Sequence, residues 1–262
     1  MKRWTDFEIN IIKKNHDKLL SREISKLINR TQCAIKQKRK KLGLKPFKFI
    51  KSFPKSKQKI TANVAYITGV ILGDGTLLCK SIPKHNGYIK MTVKDKEFAL
   101  EFKNNIERWL NKKASLYKYY RRGTFGSRYM WTVQYCSYLV ARYIKEIVNN
   151  LEQFLTLSNE IKYALLKGLY DSEGCIHINK KNQGVLIFSN SNFNLIKFVK
   201  QLMESVGFKK LKIYKHNKRE MYNLTIYSIK NIISFYDKIG FTIFRKQNRL
   251  NSFANSKRRY YA

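Results

Sequence analysis

Two nine-residue stretches, Ile67-Thr-Gly-Val-Ile-Leu-Gly-Asp74-Gly75 and Leu166-Lys-Gly-Leu-Tyr-Asp-Ser-Glu173-Gly174, carry the same pattern about a hundred residues apart. Each closes an apolar run of helical period, Thr61 to Gly73 and Asn159 to Ser172. Small residues recur at a spacing of four, Gly69 with Gly73 and Gly168 with Ser172, which leaves a strip without bulk on one helix face where a second helix can come close. A carboxylate followed by glycine ends both runs. Read as a left-handed stop, the glycine places Asp74 and Glu173 at helix C-termini.

Working outward, the flanking periodicities repeat as well. The first half reads as strands near Thr76–Leu78 and Tyr88–Val93, a helix Lys96–Leu110, a hairpin within residues 115–135 and a helix Tyr138–Val148. The second reads as strands near Ile176–Ile178 and Val185–Ser189, a helix Phe193–Val206, strands near Leu211–Tyr214 and Tyr222–Tyr227, and helices Ser228–Ile239 and Phe244–Phe253. Both halves are α-β-β-α-β-β-α, so the fold class is α+β, built as a pseudo-symmetric repeat over residues 60–150 and 151–262.

The paired acids define the chemistry. Two carboxylates at the negative ends of adjacent helix dipoles repel each other, and a divalent cation relieves that repulsion. Oxygen ligands with open water positions suit Mg²⁺, and metal-activated water suits phosphodiester hydrolysis. At these residues the chain resembles the LAGLIDADG homing endonucleases in their single-chain, two-motif form, over roughly residues 61–255. The resemblance implies saddle-shaped antiparallel sheets astride a long, imperfectly symmetric duplex DNA target. It also implies Mg²⁺ or Mn²⁺ bound by Asp74 and Glu173, and cleavage of both strands by a monomer. The second consensus acid is Leu72 in the first copy and Asp171 in the second, and Asp171 reads as structural or peripheral. By the same resemblance Lys94 and Lys246 stand near the metals as catalytic cations, with Asn190 aligned as the partner of Lys94. Strand parity turns Met130, Thr132 and Gln134, then Lys210, Lys212 and Tyr214, then Asn223 and Thr225 toward DNA, while Leu211, Ile213, Trp131 and Val133 face the helices. The competing functions on this fold are a group I intron RNA maturase and an inactive DNA-binding regulator.

Ahead of the repeats, residues 1–45 read as three helices, Asp6–Asn15, Ser21–Ile28 and Thr31–Lys41, with Thr5 or Asp6, Ser21 and Thr31 as caps and Gly43 as a stop. The third has the composition of a recognition helix, with Lys36, Lys38, Arg39 and Lys40 as DNA contacts. The patterns W-T-x-x-E, R-E-I-x-x-L-I-N-R-T and A-I-K-x-K-R-K-K-L-G-L resemble Myb-like or homeodomain-like helix-turn-helix modules. A tether over residues 46–59, with Pro46 and Pro54, reads as extended and basic, laid along DNA.

Composition agrees with a polyanionic partner. The chain has 262 residues, 54 Lys+Arg against 17 Asp+Glu and a formal charge of +37, far beyond what solubility asks of a domain. With 44% hydrophobic and 14% aromatic residues it has enough apolar material to fold. No apolar run reaches the roughly 20 residues of a membrane span, and the start lacks a signal-peptide pattern. Cys33, Cys79, Cys136 and Cys175 are scattered, as are His16, His85, His177 and His216, which argues against zinc and for an intracellular, reduced setting in cytoplasm or organelle matrix.

Overall fold

The computed structural model describes residues 3–17, 19–44, 53–80, 86–122, 128–216 and 220–258. The chain divides into two compact units, Met1–Ser52 and Phe53–Ala262.

In the first unit, α1 (Asp6–Asn15), α2 (Ser21–Ile28) and α3 (Gln32–Lys41) enclose a small core of Ile12, Ile24, Ile28 and Ile35. Thr5 and Glu8 close α1 with reciprocal hydrogen bonds. Ser21, expected as a cap, is the first residue of α2. The cap is Leu20, whose N–H donates to Glu23 at 2.7 Å, which frees the Ser21 hydroxyl to accept from Arg39. Gly43 does stop α3 in the left-handed region, at φ +67°.

The second unit holds the two repeats. In the first, α4 (Ala62–Leu72) leads into β1 (Gly75–Lys80) and β2 (Asn86–Val93), then α5 (Lys96–Leu110), β3 (Ser115–Arg121), β4 (Arg128–Cys136) and α6 (Tyr138–Val148). In the second, α7 (Asn159–Glu173) leads into β5 (Gly174–Ile178) and β6 (Gly184–Asn190), then α8 (Phe193–Ser205), β7 (Lys212–Lys215), β8 (Tyr222–Ile226), α9 (Ile229–Lys238) and α10 (Phe244–Arg258). The strands form two antiparallel four-stranded sheets of identical order, β1-β2-β4-β3 and β5-β6-β8-β7.

One apolar core runs through both repeats. Ile89, Met91 and Val133 of the first sheet and Leu186, Phe188 and Leu224 of the second point to their helices and are fully buried. Strand alternation therefore gives each sheet a second face turned away from the helices.

The expectation of an extended tether fails where it can be seen. Residues 45–52 lie outside the described set, but residues 53–59 pack on the first repeat. Phe53 is buried between Trp109 and Tyr143, at centroid distances of 5.7 and 5.2 Å. Trp109 Nε1 donates to the Lys57 carbonyl at 3.0 Å, and the Tyr143 hydroxyl donates to the Gln58 carbonyl. An aromatic socket on α5 and α6 outcompetes the local bias of lysine and proline toward extension.

Candidate active site between the two motif helices

The glycine strip makes the centre possible. A Cβ on Gly69 would lie 2.4 Å from the Leu165 carbonyl oxygen, and one on Gly168 would lie 2.4 Å from that of Tyr66. The backbones of α4 and α7 therefore touch directly, and no residue with a side chain fits at the crossing. One turn later a Cβ on Gly73 would lie 2.4 Å from Ser172 Cβ and 3.2 Å from Glu173 Cγ, so the bare glycine lets these side chains of α7 close in. That contact draws the ends of the two helices, and with them Asp74 and Glu173, into one place.

Gly75 and Gly174 act differently from expectation. Gly174 has φ −88° and ψ 151°, an extended conformation, and Gly75 is the first residue of β1. Their role is steric: a Cβ would strike the Ile71 Cα at 2.6 Å from Gly75, or the Tyr170 carbonyl oxygen at 2.6 Å from Gly174. Each strand doubles back against the last turn of its own helix, and only a bare Cα clears that turn.

The electrostatics follow from this crowding. Desolvation raises the Asp74 carboxyl above its ordinary range, with Lys246 pulling it back and Asp95 pushing it up. Glu173 is raised first by burial and then by the charge of Asp74, against Lys246. Two acids that each resist ionisation, one of them because of the other, favour binding of a cation. Among the described residues no cluster of three or more His, Cys, Asp or Glu is suited to hold a metal. The two carboxylates are hard oxygen donors, the chemistry a divalent cation such as Mg²⁺ would take.

Beside Asp74 opens a pocket of about 250 Å³ lined by Lys94, Asp95, Arg128, Met130, Ser172 and Lys246, among others. Lys94 stands exposed at its rim. Lys246 is buried, and its Nζ donates to the carbonyls of Asp171 at 2.6 Å and Tyr170 at 3.2 Å. It caps the C-terminal end of α7 beneath Glu173. Burial lowers its pKa, against the attraction of Asp171 and Asp74. Asp171 is itself fully buried, accepting from the Tyr66 hydroxyl at 2.9 Å and the Thr242 N–H at 2.7 Å. It is a strut tying α7 to α4 and to the approach to α10. Arg245 pairs with Asp95 at 3.2 Å, and the Phe244 N–H donates to Glu97 at 3.1 Å, so the start of α10 clasps the start of α5 from the other repeat.

The alignment of Lys94 with Asn190 is off by one. Gly75 pairs with Met91 and Gly174 with Phe188, while the caps of α5 and α8 are Asp95 and Asn192. Counting from either mark places Ser191 opposite Lys94. The asymmetry persists, since a hydroxyl stands where the first repeat has an ammonium.

On the faces turned from the helices, Gln134 and Asn223 are partly exposed, and Lys210, Lys212 and Tyr214 are exposed, with Lys210 just before β7 at φ +57°. Met130, Thr132 and Thr225 have the expected parity but are buried. Met130 lies under the pocket rim, Thr132 shares a hydroxyl hydrogen bond with Thr92 at 2.9 Å, and Thr225 donates to the Lys212 carbonyl at 3.3 Å. Parity assigns a face, but neighbouring strands decide exposure. The same faces present residues that sequence reasoning missed: Thr76, Lys90, Tyr117, Tyr119, Arg121 and Arg128 in the first sheet, Cys175, His177 and Ser189 in the second. Register with Thr132 or Gln134 was the signal available for the first group.

In the N-terminal unit Lys36 and Lys40 are exposed, and Lys38 leans over Trp4 at 5.6 Å. Arg39 is no surface contact. It is 2% exposed and donates to the Ser21 hydroxyl at 2.9 Å and to the carbonyls of Leu19 and His16 at 2.8 and 3.2 Å, which binds α3 to the α1–α2 corner.

The fold and the site define a class: two-repeat α+β proteins with a carboxylate at the end of each of two helices in backbone contact. Residues 160–240 match the LAGLIDADG-like domain family. A segment of 169 residues is 32% identical to an uncharacterised protein of Methanocaldococcus jannaschii, covering 58% of this chain and 59% of that one, so the match spans less than two thirds of this relative. Mesophilic variants of the homing endonuclease I-DmoI share the fold at a TM-score of 0.50 and 23% identity, over 69% of this chain and 90% of theirs. An I-DmoI variant solved with its target DNA and Mn also gives 0.50, at 22% identity over 71% and 95%. Full-length DUF199/WhiA from Thermatoga maritima gives 0.50 at 18% identity, over 79% and 67%. The LAGLIDADG-like match lies within the second repeat, and the fold over both repeats is the one these solved structures share.

Proposed function

We propose that this chain is a site-specific endonuclease that hydrolyses duplex DNA with Mg²⁺ or Mn²⁺ held by Asp74 and Glu173. The observation that carries the reading is the convergence of the two acids, which follows from backbone contact at Gly69 and Gly168 and close side-chain approach at Gly73. A metal bound there would supply Lewis acidity and a more acidic water. Lys94, at the pocket rim, offsets charge on the scissile phosphate. Lys246 spends two of its three N–H donors on α7 carbonyls and lines the pocket; it positions the helix end that carries Glu173. The two sheet faces read a long, imperfectly symmetric duplex as a monomer, and Lys36, Lys38 and Lys40 add phosphate contacts from a separate module. Among the described residues no helix is long and apolar enough to cross a membrane.

The test is incubation of the purified chain with Mg²⁺ and duplex DNA spanning its uninterrupted insertion site, with mapping of the ends. Asp74→Asn and Glu173→Gln should each lower double-strand cleavage by about a thousandfold or more while a gel shift on the same duplex persists. Folded variants that cut at near the parent rate would refute the proposed centre. Tight, specific binding without cleavage by the parent chain would instead identify a DNA-binding regulator.

A further inference from the structure

The first sheet carries a feature that duplex binding does not use. Residues Leu116, Lys118 and Tyr120 of β3 and Tyr129, Trp131 and Val133 of β4 lie on the helix-side face, opposite the face of Gln134 and Arg128. Val133 is covered by helices, but the hairpin runs on past them. Beyond their cover the face continues as an open ladder of rings and cations. Tyr120 and Tyr129, directly paired across the strands, meet edge to face with centroids 5.1 Å apart. Lys118 Nζ sits 3.9 Å from the Tyr129 ring and 5.7 Å from Trp131, and Lys96, from the first turn of α5, reaches Trp131 at 5.1 Å. Tyr120 and Tyr129 are 51% and 58% exposed.

Rings in this number at a solvent face normally need a partner or a cover. Each ring here has a lysine or another ring beside it, which sets what the partner is. A duplex keeps its base faces stacked internally and offers this shelf only phosphates. Unpaired bases offer a π-face for each ring and a phosphate for each lysine. Lys118 and Lys96 occupy the ring faces in the free protein, so an incoming base takes the ring face as its phosphate draws the ammonium aside.

We propose that Lys96, Lys118, Tyr120, Tyr129 and Trp131 form a binding shelf for single-stranded nucleic acid, on the opposite side of the first sheet from the duplex-reading face. The shelf stands independently of nuclease activity. Fluorescein-labelled 12-nucleotide oligothymidylate and oligouridylate, titrated with the full chain and followed by anisotropy, test it. The double variant Tyr120→Ala/Tyr129→Ala should weaken binding of at least one oligomer about 10-fold or more, leave affinity for a 30-base-pair duplex within about twofold, and be rescued by Tyr120→Phe/Tyr129→Phe, which keeps the rings. Lys90→Ala/Gln134→Ala, on the other face, should reverse the pattern. Preference for the thymidylate would point to a displaced DNA strand and preference for the uridylate to RNA, and either supports the shelf. Oligomer binding unchanged by the alanine pair, or duplex binding weakened by the same factor, would overturn it. A melting temperature that the alanine pair leaves unaltered separates loss of the shelf from loss of the fold.

Discussion

Replacing Gly168 with alanine tests the helix crossing on which the site depends. The added Cβ would stand 2.4 Å from the Tyr66 carbonyl oxygen, 3.1 Å from the Val70 nitrogen and 3.2 Å from the Gly69 Cα. An ordinary contact with that oxygen needs nearly 1 Å more. All three neighbours are backbone, so relief requires moving one helix against the other. Overpacking of this kind costs about 3 kcal/mol at the upper end of its usual range. Helix propensity returns about 1 kcal/mol for glycine to alanine. The net is a loss of about 2 kcal/mol. For a unit of this size that lowers the melting temperature by roughly 4 to 8 °C. Thermal unfolding by circular dichroism measures it, beside Mg²⁺-dependent cleavage, which should fall as the acids separate. The sign decides the matter. A melting temperature that holds or rises would mean the helices do not touch there, and propensity alone was acting.

Arg39→Ala should destabilise the N-terminal unit by about 2 kcal/mol, because it removes a buried guanidinium and its bonds to the Leu19 and His16 carbonyls and the Ser21 hydroxyl, whereas Lys40→Ala should keep stability and lower the salt slope of log affinity by about 0.9; chemical denaturation and a salt titration of DNA binding separate them. The Arg30 guanidinium, aided by the Thr5 N–H, holds the Glu8 carboxyl down to about 2. Its folded pKa lies below its unfolded value, so its contribution is complete above about pH 4.5 and is lost as pH falls toward 2; Glu8→Gln should flatten the acid limb of the unit's unfolding profile, and an unchanged limb would discount the pair. A chain beginning at Lys57 should melt lower than one beginning at Phe53, because it lacks the ring between Trp109 and Tyr143; equal melting temperatures would show that the socket adds nothing.

Much of this was legible beforehand. Helices α1, α2, α5 and α6 begin and end where the pattern placed them, because a cap such as Thr5 and the apolar periods are local signals. The repeat, the strand parities and the placement of Asp74 and Glu173 at the ends of α4 and α7 were legible for the same reason. What failed depended on the course of the folded chain, which the sequence pattern does not encode. Gly75 and Gly174 were assigned to the commoner role of glycine after a helix, since nothing local reveals a strand folding back on it. Arg39 was hidden in a cationic run, where only tertiary structure distinguishes the residue that turns inward. The partner of Lys94 was misplaced because two dissimilar loops were aligned without the strand pairing that anchors them.

The strut at Asp171 also decides how this chain can be taken apart. Counting back from each acid, Tyr66 corresponds to Leu165 and Asp171 to Leu72, so the polar pair that crosses the axis on one side has only leucines at the matching positions. Two copies of the second repeat would bury a carboxylate opposite leucine, twice over, and two copies of the first would leave two tyrosine hydroxyls facing leucine. If the covalent connection between α6 and α7 were severed, the fragments would reassemble only as unlike partners. The polar pair thus acts as a bias toward unlike halves over like ones.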